Sequence, residues 1–182
     1  MMNLPNKLTL LRVAMIPFFV FFLLTDDVAY SSYIALLIFV VASLTDLLDG
    51  KIARKHNLVT NFGKFMDPLA DKLLVTSALI CFIEMGRISA VIVLIIIARE
   101  FIISGFRLIA AEAGIVIAAG YLGKIKTTVQ MITIIFMIPD FGGHTVYIIE
   151  QVLIYASLIL TVVSLADYLY KNKNILLDGG NL

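Results

Sequence analysis

Apolar residues fall into six long runs along this chain, divided by short polar or glycine-bearing breaks. The runs are roughly Leu8–Leu24, Tyr30–Ala53, Met66–Glu84, Ile88–Ile109, Leu122–Ile138 and Val146–Tyr170. Each approaches the about 20 residues that a helix needs to cross a bilayer. No stretch alternates strictly between apolar and polar positions, so the pattern predicts helices and not a membrane barrel. The opening Asn3-Leu4-Pro5-Asn6-Lys7-Leu8-Thr9 reads as a short amphipathic segment lying at the headgroups. The run that follows lacks a clean small-x-small cleavage site, so it is expected to stay as a first span.

Composition narrows the class further. The 182 residues are 61% hydrophobic and 15% charged, with a mean hydropathy of +1.02. A soluble domain is nearer about 45–50% apolar and about 25% charged, which excludes a soluble globular fold. A net charge of +1 supplies no field for nucleic acid. The single cysteine, Cys81, can make neither an intrachain disulfide nor a thiolate metal site. No linker or repeat divides the sequence, so residues 1–182 are expected to form one domain.

Charge sets the orientation. Lys7, Arg12, Lys51, Arg54, Lys55, Lys64, Arg107, Lys124, Lys126, Lys171 and Lys173 all fall on one side of a six-span arrangement. The opposite loops carry mainly Asp26, Asp27, Glu84, Arg87 and Asp140. By the positive-inside rule the basic side is cytoplasmic. The expectation is therefore an all-α, multi-pass bundle of six membrane helices with both termini in the cytoplasm.

Four carboxylates interrupt this apolar pattern. Asp46 and Asp49 stand at i and i+3 on the second predicted helix, and Asp67 and Asp71 at i and i+4 on the third. Each pair shares one helix face. An aspartate at the centre of a span costs roughly 2.5–3.5 kcal/mol, and four converging anions repel one another. All four are oxygen donors, which suit hard cations such as Mg²⁺, Mn²⁺ or Ca²⁺. Two divalent ions would balance the four charges and also suit displacement at phosphorus. The structural alternative pairs these aspartates with Lys51, Arg54, Lys64 and Lys72. Gly50 and Ala53 leave one stripe nearly bare, either for close helix packing or for a nucleotide lying against the backbone. Arg54 suits a phosphate, and Gly63 suits close backbone approach.

Written out, Asp46-x-x-Asp49-Gly50-x-x-Ala53-Arg54-x₈-Gly63-x-x-x-Asp67-x-x-x-Asp71 resembles, at every fixed position, the signature of the CDP-alcohol phosphotransferases. Pro5-Asn6-x-x-Thr9-x-x-Arg12 also fits that family. Within it, Ala98-Arg99-Glu100-Phe101, Arg107 and Gly123-Lys124-x-Lys126-Thr127 resemble the branch whose acceptor is sn-glycerol 3-phosphate. The resemblance implies transfer of a phosphatidyl group from CDP-diacylglycerol to that acceptor with release of CMP. It implies two Mg²⁺ or Mn²⁺ ions held by Asp46, Asp49, Asp67 and Asp71, with Asp71 as general base. It also implies contacts from Gly50, Ala53, Arg54 and Gly63 to the CDP moiety, and a homodimer in the cell membrane with its site facing the cytoplasm.

The acceptor's phosphate needs cations, and Arg99, Arg107, Lys124 and Lys126 are the candidates. Arg99 lies far enough inside its run that it must face protein or a water-filled cavity. Either it binds the phosphate or it pairs with a partner such as Glu100, and Lys124 and Lys126 can equally be ordinary positive-inside residues. Asn6, Thr9 and Arg12 share a helix face, to bind nucleotide or diphosphate, or to cap the helix and meet headgroups. Other acceptors (inositol phosphate, serine, phosphatidylglycerol), an intramembrane prenyltransferase and a divalent-cation transporter are the alternative functions.

Overall fold

A computed structural model describes residues 4–25, 27–55, 61–112, 114, 115, 117, 118 and 120–173. Among them there are six helices and no strand: α1 Leu4–Leu24, α2 Ser31–Lys55, α3 Asn61–Glu84, α4 Ala90–Glu112, α5 Tyr121–Met137 and α6 His144–Lys171. These match the six apolar runs in order. One boundary differs in kind. Leu4–Thr9, expected as a separate amphipathic segment, forms the first turns of α1. Pro5 is tolerated there because the first turn leaves its N–H groups without intrahelical partners.

By length and composition, α1 from Asn6 to Leu24 and α6 are long and apolar enough to cross a membrane. The apolar part of α2 is shorter, Ser31–Thr45, and stops where the acidic stretch begins. In α4 the run is broken by Arg99, Glu100 and Arg107. Helix α5 has 17 residues, about 26 Å at 1.5 Å per residue, against a hydrocarbon core of about 30 Å. Large apolar side chains such as Phe18, Phe21, Leu37, Val91, Leu94, Val152 and Ile159 are exposed, whereas Arg12, Lys126, Gln130, Glu150 and Thr161 are buried. Apolar outside and partly polar inside is the pattern of a membrane protein.

The helices fall into two compact units. The first comprises Met1–Arg87 and Ile134–Phe141. Here α1 packs against both α2 and α3, and α2 touches α3. Ala35, Ala42, Ala70 and Ala78 are fully buried; small side chains at these positions let the backbones approach, which is what drives helix association in lipid. Phe19 of α1 fills the space against Phe39 of α2, with ring centroids 5.6 Å apart.

Arg87, just beyond α3, closes the other end of this unit. Its Nη1 donates to the carbonyl of Met137, in the last turn of α5, at 2.6 Å, and its guanidinium lies 5.7 Å from the Phe82 ring centroid. Asp140 is 3.8 Å away and exposed. Arg87→Leu should lower thermal stability by about 1–3 kcal/mol, since it leaves a helix-end carbonyl without its charged donor. Asp140→Asn should change it by less than about 1 kcal/mol. Thermal unfolding in detergent would check both, and equal effects would count against the carbonyl bond as the main interaction.

The second unit comprises Ile88–Thr133 and Gly142–Leu182. Ile103 and Phe106 of α4 pack with Tyr168 of α6, joined by Ile117, Leu165 and Leu169. The Phe106 and Tyr168 rings meet edge to face at 5.6 Å. The buried stripe of α6 runs Glu150, Ile154, Ser157, Thr161, Ser164, Tyr168. Its spacing alternates between four and three residues, so it is one helix face, and that face is mostly polar.

Candidate active site

The acidic residues sit on α2 and α3 of the first unit. Asp46, Asp49, Gly50, Ala53 and Arg54 lie in α2, and Gly63, Asp67 and Asp71 in α3. Both segments are helical, so the i,i+3 and i,i+4 spacings do put each aspartate pair on one face of its helix. The side chains of Asp46, Asp49, Gly50, Ala53, Arg54, Gly63 and Asp67 lie outside the described residues. Asp71 is exposed. Among the described residues no group of three or more His, Cys, Asp or Glu gathers to hold a metal ion. The chemistry of the donor set nevertheless fits a hard divalent cation, because it consists of carboxylates on two helices that touch.

Next to this acidic pair is a buried polar row on α1. Asn6, Thr9 and Arg12 are all buried, three residues apart and hence on one face. They turn into the protein and not toward headgroups. Arg12 is 1% exposed, and its Nε donates to the Ala42 carbonyl of α2 at 3.2 Å. Ala42 is one helical turn before Asp46. The row therefore meets α2 at the start of the acidic stretch. Arg12, in the sequence a member of this face, is tied by that bond to α2.

The basic candidates belong to the second unit, and the structure separates them into two kinds. Arg99 of α4 and Lys126 of α5 are 7% and 1% exposed. Both reach one carboxylate: Arg99 Nη1 donates to Glu100 Oε1 at 3.0 Å, and Lys126 Nζ to the same oxygen at 2.5 Å. Two buried cations thus meet on one half-buried carboxylate, where their charges interact more strongly than in bulk water. Gly123, one turn before Lys126 on α5, presents bare backbone to this knot; a Cβ there would lie 3.3 Å from Arg99 Nη2. Lys126 is thus no ordinary solvated positive-inside residue, and Glu100 is the shared partner of both cations. Arg107 and Lys124 are exposed. Arg107 lies over the Tyr168 ring, 5.9 Å from its centroid, about 12 Å along α4 from Arg99. Lys124 is two residues from Lys126 and so points elsewhere on α5.

The first unit thus carries an acidic helix pair and the second a buried cationic knot, in an α-helical protein whose exposed faces are apolar. The chain belongs to the CDP-alcohol phosphatidyltransferase family, whose model matches residues 2–163. Its likeness to particular relatives extends over nearly the whole length. The CDP-diacylglycerol–glycerol-3-phosphate 3-phosphatidyltransferase of Bacillus subtilis (strain 168) is 41% identical over 185 residues, covering 94% of this chain and 96% of the relative. The protein of the same name from Haemophilus influenzae (strain ATCC 51907 / DSM 11121 / KW20 / Rd) is 40% identical, covering 97% and 96%. That of Rickettsia typhi (strain ATCC VR-144 / Wilmington) is 37% identical, covering 92% and 96%.

Proposed function

We propose that this protein transfers the phosphatidyl group of CDP-diacylglycerol to sn-glycerol 3-phosphate, giving phosphatidylglycerophosphate and CMP in phospholipid biosynthesis. Membership of the family supports the donor. The observation that carries the acceptor is the Arg99–Glu100–Lys126 knot, which places a buried guanidinium and a buried ammonium together, donors suited to a phosphate dianion; relatives named for that acceptor support the same reading.

Asp46, Asp49, Asp67 and Asp71 would hold two divalent cations, Mg²⁺ or Mn²⁺. When bound, such ions neutralise a diphosphate and stabilise charge on its leaving group. Asn6, Thr9, Gly50, Ala53, Arg54 and Gly63 hold the CDP moiety, with Arg12 anchoring the α1 row. Arg99 and Lys126 bind the acceptor's phosphate, and the exposed Arg107 and Lys124 attract it from solution. Asp71 takes the proton of the acceptor's primary hydroxyl. The hydroxyl oxygen forms a bond to the β-phosphorus, and the bond from that phosphorus to the bridging oxygen breaks. The electron pair leaves with CMP.

The donor is a lipid and the acceptor is water-soluble, so the site must be reachable from bilayer and cytosol. Six spans with both termini cytoplasmic, in the cell membrane, meet that need and agree with the distribution of Lys and Arg. The chain acts as a single domain over residues 1–182, assembled as a homodimer. Purified protein in detergent should release CMP from CDP-diacylglycerol only when sn-glycerol 3-phosphate and Mg²⁺ or Mn²⁺ are both present. Release driven instead by inositol phosphate, serine or phosphatidylglycerol would overturn the acceptor, and undiminished release in EDTA would overturn the metal requirement.

A further inference from the structure

The second unit contains buried polar atoms that the Arg99–Glu100–Lys126 knot does not use. Gln130 is 4% exposed and Ser157 2% exposed. Gln130 Nε2, Ser157 Oγ and Arg99 Nε are all buried with no hydrogen-bond partner. Buried polar atoms almost always have partners, and one left without is destabilising. Three such atoms in one helix group point to something that binds among them.

Helix register brings them together. α5 and α6 are joined by the short turn 138–143 and run antiparallel. Thr133 Oγ1 approaches the Leu153 carbonyl at 3.4 Å. One turn back along α5 stands Gln130, and one turn on along α6 stands Ser157, so the two share a level. Arg99 and Glu100 of α4 meet Lys126 of α5 at one level, and Phe106 of α4 meets Tyr168 of α6. Lys126 is one turn before Gln130 on α5. The interior thus has a cationic level at Arg99 and Lys126. About 6 Å further along it has a neutral level, where an amide and a hydroxyl stand open. Thr161 and Ser164 spend their protons on the Ser157 and Thr161 carbonyls of their own helix, at 2.7 and 3.1 Å, so neither competes as a donor.

A charged level beside a neutral donor–acceptor level matches a small molecule with a phosphate at one end and hydroxyls next to it. The separation is comparable with the span of a three-carbon polyol phosphate from its phosphorus to its middle hydroxyl. We propose that Gln130 and Ser157 form a hydroxyl-reading subsite. With the phosphate at Arg99 and Lys126, the Gln130 amide donates to the 2-hydroxyl oxygen of sn-glycerol 3-phosphate, and that hydroxyl donates to Ser157 Oγ. The subsite rests on the acceptor assigned above and adds to it the residues that distinguish this acceptor from an alcohol phosphate lacking the middle hydroxyl.

The test compares sn-glycerol 3-phosphate with 3-hydroxypropyl phosphate, which keeps the phosphate and the reactive hydroxyl but has no 2-hydroxyl. The wild-type protein should prefer the former by about tenfold or more in kcat/KM, since a site built to bond a hydroxyl discriminates against its absence. Gln130→Met should remove most of that preference by lowering kcat/KM for sn-glycerol 3-phosphate alone. Ser157→Ala, a smaller change that keeps the helix intact, should reduce the preference too. A preference unchanged in both variants, with CMP release intact, would overturn the subsite and make these atoms the partners of a structural water. An equal fall for both acceptors would overturn it as well, because only the phosphate level or the fold would then be affected. No transfer to either acceptor by the wild-type protein would instead overturn the assigned reaction, and the subsite with it.

Discussion

Asp71→Asn is expected to lower turnover by about 10²–10⁴-fold, the usual contribution of a positioned general base, while leaving most metal-dependent CDP binding in place. Asparagine has nearly the size and shape of aspartate and keeps a carbonyl oxygen where a ligand oxygen stood. It lacks the basicity to take a proton from a primary hydroxyl. Asp71 also suits the role by position. Asp71 is exposed, and a water-soluble acceptor must meet its base at a surface that water reaches. The measurement is a pair: CMP release under saturating substrates, and Mn²⁺-dependent binding of CDP to the same protein. Near-normal turnover would remove Asp71 from the proton transfer. Loss of binding in step with turnover would reduce its role to holding the metal or the fold, without proton transfer.

The second large effect is expected at the cationic knot. Arg99→Met and Lys126→Met should each reduce kcat/KM for sn-glycerol 3-phosphate by at least about thirtyfold, the low end of the 2–5 kcal/mol lost with one partner of a buried charged pair. The apparent KM for CDP-diacylglycerol should move little. Either variant keeps the other cation on Glu100, so the carboxylate is never left alone and the unit should still fold. What disappears is one of the two buried cationic donors. Arg107→Gln and Lys124→Gln, at exposed positions, should cost far less and mainly flatten the dependence on ionic strength, since each removes a screened attraction for the anionic acceptor. Initial-rate kinetics with each substrate varied in turn would check this. Equal changes in the two KM values would mean that the knot supports the fold and not the acceptor.

Much of this molecule was readable without coordinates, and the physical reason is periodicity. Long apolar runs favour helices, which satisfy their own backbone where water is scarce, and α1 to α6 coincide with the six runs. The aspartate spacing implied shared faces as soon as α2 and α3 were helices. The role of Glu100 was harder to read. Adjacent to Arg99 in the chain, it was visible as a neighbour, but its bond to Lys126 joins residues 26 apart on different helices. Gln130 and Ser157 carried no sequence signal beyond being polar in an apolar run, a property shared with several residues that simply bond back to their own helix, such as Thr128 and Ser104.

The chain alone determined the helices, the one-faced acidic pairs and the signature that places it in its family, since all of these follow from local spacing and from the free energy of placing charge in hydrocarbon. Tertiary structure alone decided which polar side chains are buried, which cations share an anion, and which donors are left open. Those facts depend on the register of one helix against another, and register is set by side-chain packing between segments far apart in sequence.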